Sequence, residues 1–115
     1  HGIRQAVYGE NFRDIHLILE NIVFMELLRR GFDVTVGRIG EKEVDFVAEK
    51  ADKKFYVQVS YIMNDEATFN REISPLLDIK DNYPKYIISM DPINRSTQGI
   101  KHMHILTFLL ETESL

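Results

Sequence analysis

Three polar residues interrupt apolar stretches of this sequence at positions where side chains could bind a cation. Asp45 lies in the middle of the segment EVDFVAEK, and Gln58 and Ser60 lie two residues apart in FYVQVSY. Successive side chains of a strand alternate between its faces, so Gln58 and Ser60 share one face, and Val44 and Phe46 are expected to share the face opposite Asp45. If the two segments pair through a tight turn, Asp45 can lie near both. The sequence therefore predicts three polar groups on one part of a sheet.

A fourth candidate lies upstream. From about residue 12 to residue 30 apolar residues recur at helical spacing, which predicts a helix with a wide apolar stripe. Glu20 lies on this helix, on roughly the same face as Arg13 and His16. Carboxylates such as Glu20 and Asp45 are the oxygen ligands that Mg²⁺ uses. The pair is therefore a candidate metal site.

Each of these residues also has a structural interpretation. Glu20 could pair with Arg13, and Asp45 could cap a turn or pair with a nearby lysine. Gln58 and Ser60 could form the solvent-facing side of a strand. The sequence contains four histidines, and histidine is a common zinc ligand. His102 and His104 are two residues apart but have no acidic residue or cysteine close by in the sequence, so we expect both to be exposed to solvent at a sheet edge.

Several elements are needed to position the candidates. Alternating apolar residues and tight polar turns predict three strands in an antiparallel meander, over 32–39, 43–50 and 55–63. Asp65 or Asn64 can cap a helix over 66–73, and Pro75 is expected to end it before a second short turn.

The remaining elements complete an α/β fold. A buried strand is predicted at 85–90, and residues 100–110 are expected to form a strand that passes into a short helix. A strand on each side of a helix suggests a parallel crossover. The order αβββαβ, followed by a last strand or helix, therefore predicts a mixed sheet with helices packed against it.

Bulk composition limits the classes of function. The chain has 115 residues, enough for one domain spanning 1–115, and it contains no cysteine, which fits a reducing cytoplasm. A net charge of −4 argues against a free-standing nucleic-acid binder, and no apolar run is long enough for a membrane helix, so no membrane partner is expected. Because the sequence begins with His and not Met, we expect a fragment of a longer protein.

The layout of these residues resembles a known superfamily. A helix bearing Glu, then a meander with Asp on one strand and (D/E)-x-K on the next, is similar to the PD-(D/E)XK nucleases, which have a restriction-endonuclease-like fold. The sequence also resembles the C-terminal domain of prokaryotic AAA+-type ATPases. That resemblance rests on three stretches within about residues 15–92, namely LENIVFMELLRRGFDVTVGRIGEKEVDFVAEK, YVQVSY and PLLDIKDNYPKYIISMD.

The resemblance assigns roles to single residues. Glu20 matches the acid of the helix, and Asp45 matches the central metal-binding aspartate. Gln58 falls where the second carboxylate belongs and Ser60 where the lysine belongs, so both depart from the pattern. Without them the resemblance implies a catalytically silent site. The alternative is an active Mg²⁺-dependent nuclease whose lysine has moved to Lys80 or Lys85.

The resemblance also implies partners. It makes the chain an accessory domain that binds nucleic acid or a protein and adjoins an N-terminal ATPase domain of the same polypeptide. The sequence has no phosphate-binding glycine pattern, so an ATP site would lie in that preceding domain. No cofactor is expected in these 115 residues themselves, apart from Mg²⁺ if the site is active.

Overall fold

A computed structural model describes residues 2–63, 65–92 and 96–110, with side chains from residue 14 onward except at residue 39. The elements follow in the order α1 (Gly2–Arg29), β1 (Asp33–Ile39), β2 (Lys42–Lys50), β3 (Lys53–Val59), α2 (Glu66–Leu77), β4 (Lys85–Ser89), β5 (Ile100–His104) and α3 (Ile105–Leu110). None of the helices in these ranges combines the length and apolar character needed to cross a membrane.

The strands form one mixed sheet in the order β1-β2-β3-β4-β5. The first three strands are an antiparallel meander, as predicted, whereas β4 runs parallel to both β3 and β5. Helix α2 makes the crossover from β3 to β4. The expectation of a mixed sheet with packed helices is confirmed.

Two apolar clusters cover the two faces of the sheet. On one face α1 and α3 pack through Val23, Leu27 and Phe108, which are fully buried. On the other face α2 packs through Ile73 and Leu76. Helices on both faces bury the central strands, which explains why β3 and β4 read as nearly continuous apolar runs.

The ends of the helices follow local sequence signals. After α1 the backbone of Gly31 adopts φ +91°, and the amides of Gly31 and Phe32 donate to the carbonyls of Leu28 and Leu27. Asp65 caps α2 by accepting a 2.7 Å hydrogen bond from the amide of Thr68. These signals determine where α1 ends and where α2 begins.

The expectation that Pro75 ends α2 is wrong. The helix continues to Leu77, with Pro75 inside it. Because Pro75 lies in the last turn, its missing N–H removes at most one helical hydrogen bond there. Pro75 is itself buried, and the burial of its apolar ring offsets that loss.

A β-bulge in β2 changes which residues face which helix. Thr35 pairs with Val47 and Gly37 pairs with Val44, so a single residue of β1 lies opposite both Asp45 and Phe46. Strict alternation, which would place Val44 and Phe46 on one face, is therefore wrong. Val44 packs on the α2 side, whereas Phe46 packs on the α1 side.

Gly37 allows the strands to approach at the bulge. A Cβ at this position would lie 2.7 Å from Cγ2 of Val47 and 3.3 Å from Cβ of Val44, too close for any larger residue to fit without movement. Bulges often redirect a side chain next to a functional site. Here the redirected residue is Asp45.

Candidate cation site

Asp45 and Gln58 lie where β2 and β3 separate. The last paired residues of the two strands are Phe46 and Val57. Beyond them the Gln58 side-chain oxygen accepts a 2.8 Å hydrogen bond from the amide of Asp45, and the Asp45 carboxylate accepts one of 2.8 Å from the amide of Val59. Side chains thus satisfy backbone groups that the strand ladder leaves open.

The predicted pair Glu20 and Asp45 is brought together, and His16 joins it. His16 and Glu20 are one turn apart on α1, with Nε2 3.1 Å from the Glu20 carboxylate. One ligand atom from each of His16, Glu20 and Asp45 lies within 4.8 Å of the others. Ligand atoms on a single ion are about 3 to 4 Å apart, given metal–ligand distances of about 2 Å. Small side-chain adjustments would therefore let all three bind one cation.

The electrostatics of Asp45 also favour a cation. Burial raises the pKa of Asp45 to about 6, against a smaller lowering by the Val59 amide, and the charge of Glu20 raises it further. The nearby carboxylate of Glu72 acts in the same direction, while His16 opposes it. Half-buried carboxylates that repel each other are stabilised by a bound cation.

A cleft adjoins this cluster at His16. Its volume is about 570 Å³, and its lining consists of His16, Ser60, Tyr61, Ile62, Thr68, Arg71 and Glu72. Glu72 comes from α2, and burial raises the pKa of its carboxyl group. The cleft therefore brings together side chains of α1, α2 and the segment after β3.

Gln58 is bound to the protein on both sides of its amide. Besides accepting from Asp45, it donates a 3.1 Å hydrogen bond from Nε2 to the carbonyl of Glu72. A carboxylate in this position could not donate to that carbonyl. The interpretation of Gln58 as a solvent-facing residue is wrong, since only 6 % of it is exposed.

Ser60 is buried as well, with 5 % of its surface exposed, so its interpretation as solvent-facing is also wrong. Its amide donates to the carbonyl of Ile88, which fixes the backbone beside the cleft. Among the described residues, none forms a hydrogen bond with its hydroxyl. Ser60 therefore offers a polar group to the cleft without the charge of a lysine.

The structure does not bring Lys80 or Lys85 to this cluster. Lys85 begins β4, so it lies at the opposite end of the parallel β3–β4 pair from Ser60. Its ammonium group donates to the carbonyls of Asp81 and Tyr83 and pairs with the Asp81 carboxylate. Lys80 donates to the carbonyl of Leu77. Neither lysine lines the cleft.

Two residues of the site were not among the predicted ligands. His16 was placed on the face of Glu20, and the spacing of four residues was the signal that could have identified it as a ligand. Glu72 reaches the site only because α2 packs across β3, and no local pattern of the sequence indicates that contact. The Arg13 side chain lies outside the described residues.

A second polar cluster lies at the end of β4. The hydroxyl of Ser89 donates to Asp91 at 2.7 Å and lies 2.6 Å from Nε2 of His102. Asp91 also accepts from the amide of Met63. The expected solvent exposure of His102 is wrong, because only 2 % of it is exposed.

This second cluster has the residue types of a nucleophilic triad but a different order. In a catalytic triad the histidine lies between the serine and the acid. Here Ser89 lies between Asp91 and His102, and all three are at least nine-tenths buried. The arrangement fits a structural network that fastens the segment after β3 to the end of β4.

Comparison with known proteins finds a similar chain in bacteria. An uncharacterised protein of Haemophilus influenzae is 40% identical over 111 residues, which cover 96% of this chain and 27% of that protein. The chain thus spans about a quarter of the length of this relative. No protein-family model matches the chain, and no solved structure matches it significantly.

Proposed function

We propose that this chain is a restriction-endonuclease-like domain of the PD-(D/E)XK type that has lost efficient catalysis and retains a divalent-cation site. Two features support this proposal. The helix acid Glu20 and the strand acid Asp45 converge, although they are 25 residues apart in the sequence, and the strands that follow have the expected antiparallel and then parallel order.

The two hydrogen bonds of the Gln58 side-chain amide are the main support for a catalytically silent site. In an active site of this type a carboxylate at position 58 would bind the metal. Here the amide oxygen accepts from Asp45 and the amide nitrogen donates to Glu72, so the side chain holds β2, β3 and α2 together. Gln58 is thereby a structural replacement for a ligand.

The absence of a lysine at position 60 also favours a catalytically silent site. Removal of one group that stabilises the charge developing in the transition state lowers the rate of the reaction by a factor of about 10² to 10³. Ser60 supplies no such charge, and Lys80 and Lys85 are engaged elsewhere. Hydrolysis at a useful rate is therefore not expected.

A silent domain of this kind serves as a binding module. We assign it to an AAA+-type ATP-binding protein, where it adjoins the ATPase domain and binds nucleic acid or a protein partner. The cation at Glu20 and Asp45 would supply positive charge to a chain whose net charge is −4. That local charge would offset the repulsion of an anionic partner.

The test combines cation binding with cleavage. Calorimetric titrations with Mg²⁺ and Mn²⁺ would compare the native chain with Asp45→Asn and with Asp52→Asn, a control at an exposed turn residue. We expect binding that Asp45→Asn abolishes and Asp52→Asn preserves, without cleavage of plasmid or single-stranded DNA. No cation binding by the native chain would contradict the retained site.

The double variant Gln58→Glu, Ser60→Lys tests whether Gln58 and Ser60 are the reason that the site is catalytically silent. It restores the groups that the superfamily pattern requires, and we expect weak cation-dependent cleavage to appear if the variant folds. Cleavage by the native chain that Asp45→Asn removes would overturn the silent assignment.

A second candidate is an active cation-dependent nuclease whose missing groups come from α2. Glu72 and Arg71 line the same cleft as Ser60, and Glu72 lies close enough to raise the pKa of Asp45. In this candidate Glu72 replaces the second carboxylate and Arg71 replaces the lysine. Cleavage by the native chain that is lost in both Arg71→Ala and Glu72→Gln would favour it.

A further inference from the structure

The imidazole of His16 affects which cation binds most tightly to the proposed site. We infer that His16, Glu20 and Asp45 form a mixed nitrogen and oxygen site that takes a first-row transition-metal ion, such as Zn²⁺, in preference to Mg²⁺. This inference rests on the proposed cation site and specifies its ligand.

The geometry gives His16 the position of a ligand. Its Nε2 atom faces the Glu20 carboxylate at 3.1 Å, and the two residues are fixed relative to each other by one turn of α1. Asp45 reaches the same point from the bulge of β2, again through a side-chain oxygen. The three donor atoms therefore come from two separate elements whose positions the sheet fixes.

The cleft next to His16 offers room for a further ligand. Ser60 is 5 % exposed, lines the cleft together with His16, and has a hydroxyl that bonds none of the described residues. Because Ser60 lines the cleft, a group inside the cleft can bond its hydroxyl, which both donates and accepts. A water or a ligand group on the bound ion would be such a group. Three protein ligands and one open position are typical of reactive zinc sites.

Donor chemistry decides between the candidate ions. Mg²⁺ takes oxygen ligands in nearly ideal octahedral geometry and keeps several waters. Imidazole suits Zn²⁺, Fe²⁺, Ni²⁺ and Cu²⁺, and affinities for such sites rise along the first transition row. Because His16 supplies a nitrogen ligand in place of an oxygen ligand, the site binds Mg²⁺ more weakly relative to Zn²⁺.

The experiment compares Zn²⁺ and Mg²⁺ on the same chain. Calorimetry in metal-free buffer would titrate the native chain, His16→Gln and His104→Gln, which serves as a control for adventitious binding by another partly exposed histidine. Gln keeps a polar side chain on α1 and removes the imidazole. We expect Zn²⁺ to bind at least about tenfold more tightly than Mg²⁺, and His16→Gln to remove most of that preference.

Co²⁺ provides a spectroscopic readout that does not depend on activity. Its visible absorption band changes intensity and position when an imidazole nitrogen enters the coordination sphere. We expect the band of the native chain to shift in His16→Gln and to be unchanged in His104→Gln. Thermal melting of each variant would establish that it folds. Glu20→Gln would supply a second variant, in which the binding of both Zn²⁺ and Mg²⁺ is expected to weaken.

The outcomes separate this inference from the proposed function. Binding of Mg²⁺ at least as tight as Zn²⁺, or a Zn²⁺ affinity that His16→Gln leaves unchanged, would overturn the selectivity and leave the cation site in place. Equal losses in His16→Gln and His104→Gln would also overturn it. A native chain that binds neither ion would overturn the cation site itself.

Discussion

The two polar clusters of this protein differ in how well their members satisfy one another. At the end of β4, Ser89 bonds both Asp91 and His102, and a backbone amide bonds Asp91 again. Near the β2 bulge, Asp45 faces the like charges of Glu20 and Glu72, and Glu72 lines a cleft. The first cluster completes its own bonds, whereas in the second cluster burial raises the pKa of both Asp45 and Glu72. Residue types alone would have suggested the opposite, since serine, aspartate and histidine are the familiar catalytic set.

The difference has a thermodynamic consequence. A buried network with all its bonds made stabilises the fold and loses stability when a member is removed. A cluster of facing carboxylates reduces stability in the absence of a ligand, and a bound cation restores it. Stability measurements on single variants can therefore separate a structural cluster from a binding site.

The largest effect is expected for Asp91→Ala. This change leaves the Met63 amide and the Ser89 hydroxyl without their acceptor in a region where Asp91 is only 6 % exposed. We expect a loss of about 3 kcal/mol in the free energy of unfolding, measured by urea denaturation. The exposed change Asp52→Ala is the control, with an expected effect within about 0.5 kcal/mol. A loss below about 1 kcal/mol would contradict the structural role of the network.

The next effect has the opposite sign. Asp45→Asn keeps an oxygen that can accept from the Val59 amide and removes a charge that faces Glu20 and Glu72. In chelator at pH 8 we expect the variant to be more stable than the native chain by about 1 to 3 kcal/mol, since a pKa unit corresponds to about 1.4 kcal/mol. Addition of Mn²⁺ or Zn²⁺ should stabilise the native chain and leave the variant unchanged. Destabilisation in chelator would show that Asp45 is a structural residue like Asp91.

The pH dependence sharpens this second prediction. The folded-state pKa of Asp45 is raised from its ordinary 3.8 to about 6, so between these values the folded chain binds the proton that the unfolded chain has lost. The stability of the native chain therefore falls as pH rises from about 4 to about 6, and the full cost is present above that range. The advantage of Asp45→Asn should be roughly a third of its full size at pH 4.5 and complete at pH 7.5. Urea denaturation at several pH values checks this, and a pH-independent advantage would assign the effect to packing.

The contrast between the clusters also shows where sequence-based prediction succeeded. The meander, the crossover through α2 and the cap at Asp65 follow from local patterns, because turns, alternation and capping depend on neighbouring residues. The approach of Asp45 to Gln58 followed from the hairpin in the same way. Such local rules were sufficient for the coarse fold.

Other features depended on contacts that the sequence does not encode locally. The bulge at Asp45 and Phe46 arises from pairing with β1, and it overturned the predicted alternation of faces. The position of Glu72 required knowledge of how α2 crosses the sheet. Pro75 was expected to break the helix, yet its place in the last turn and its burial made it tolerable. These errors share a cause, since tertiary packing decided each of them.

The smallest effects come from two buried serines, one in each cluster. Ser89→Ala removes three hydrogen bonds from a residue that is 1 % exposed, and we expect a loss of about 1 to 2 kcal/mol. Ser60→Ala removes a hydroxyl that bonds none of the described residues, so its effect in chelator should be within about 0.5 kcal/mol of zero. Thermal or urea denaturation of both variants measures the difference.

A saturating transition-metal ion should change the outcome for Ser60 alone. If its hydroxyl bonds a water on the bound ion, Ser60→Ala lowers the metal affinity, and the metal stabilises the variant less than the native chain. The response of Ser89→Ala to the metal should equal that of the native chain, because its bonds lie within the other cluster. Equal responses of both variants would remove Ser60 from the site and leave His16, Glu20 and Asp45 as its protein ligands.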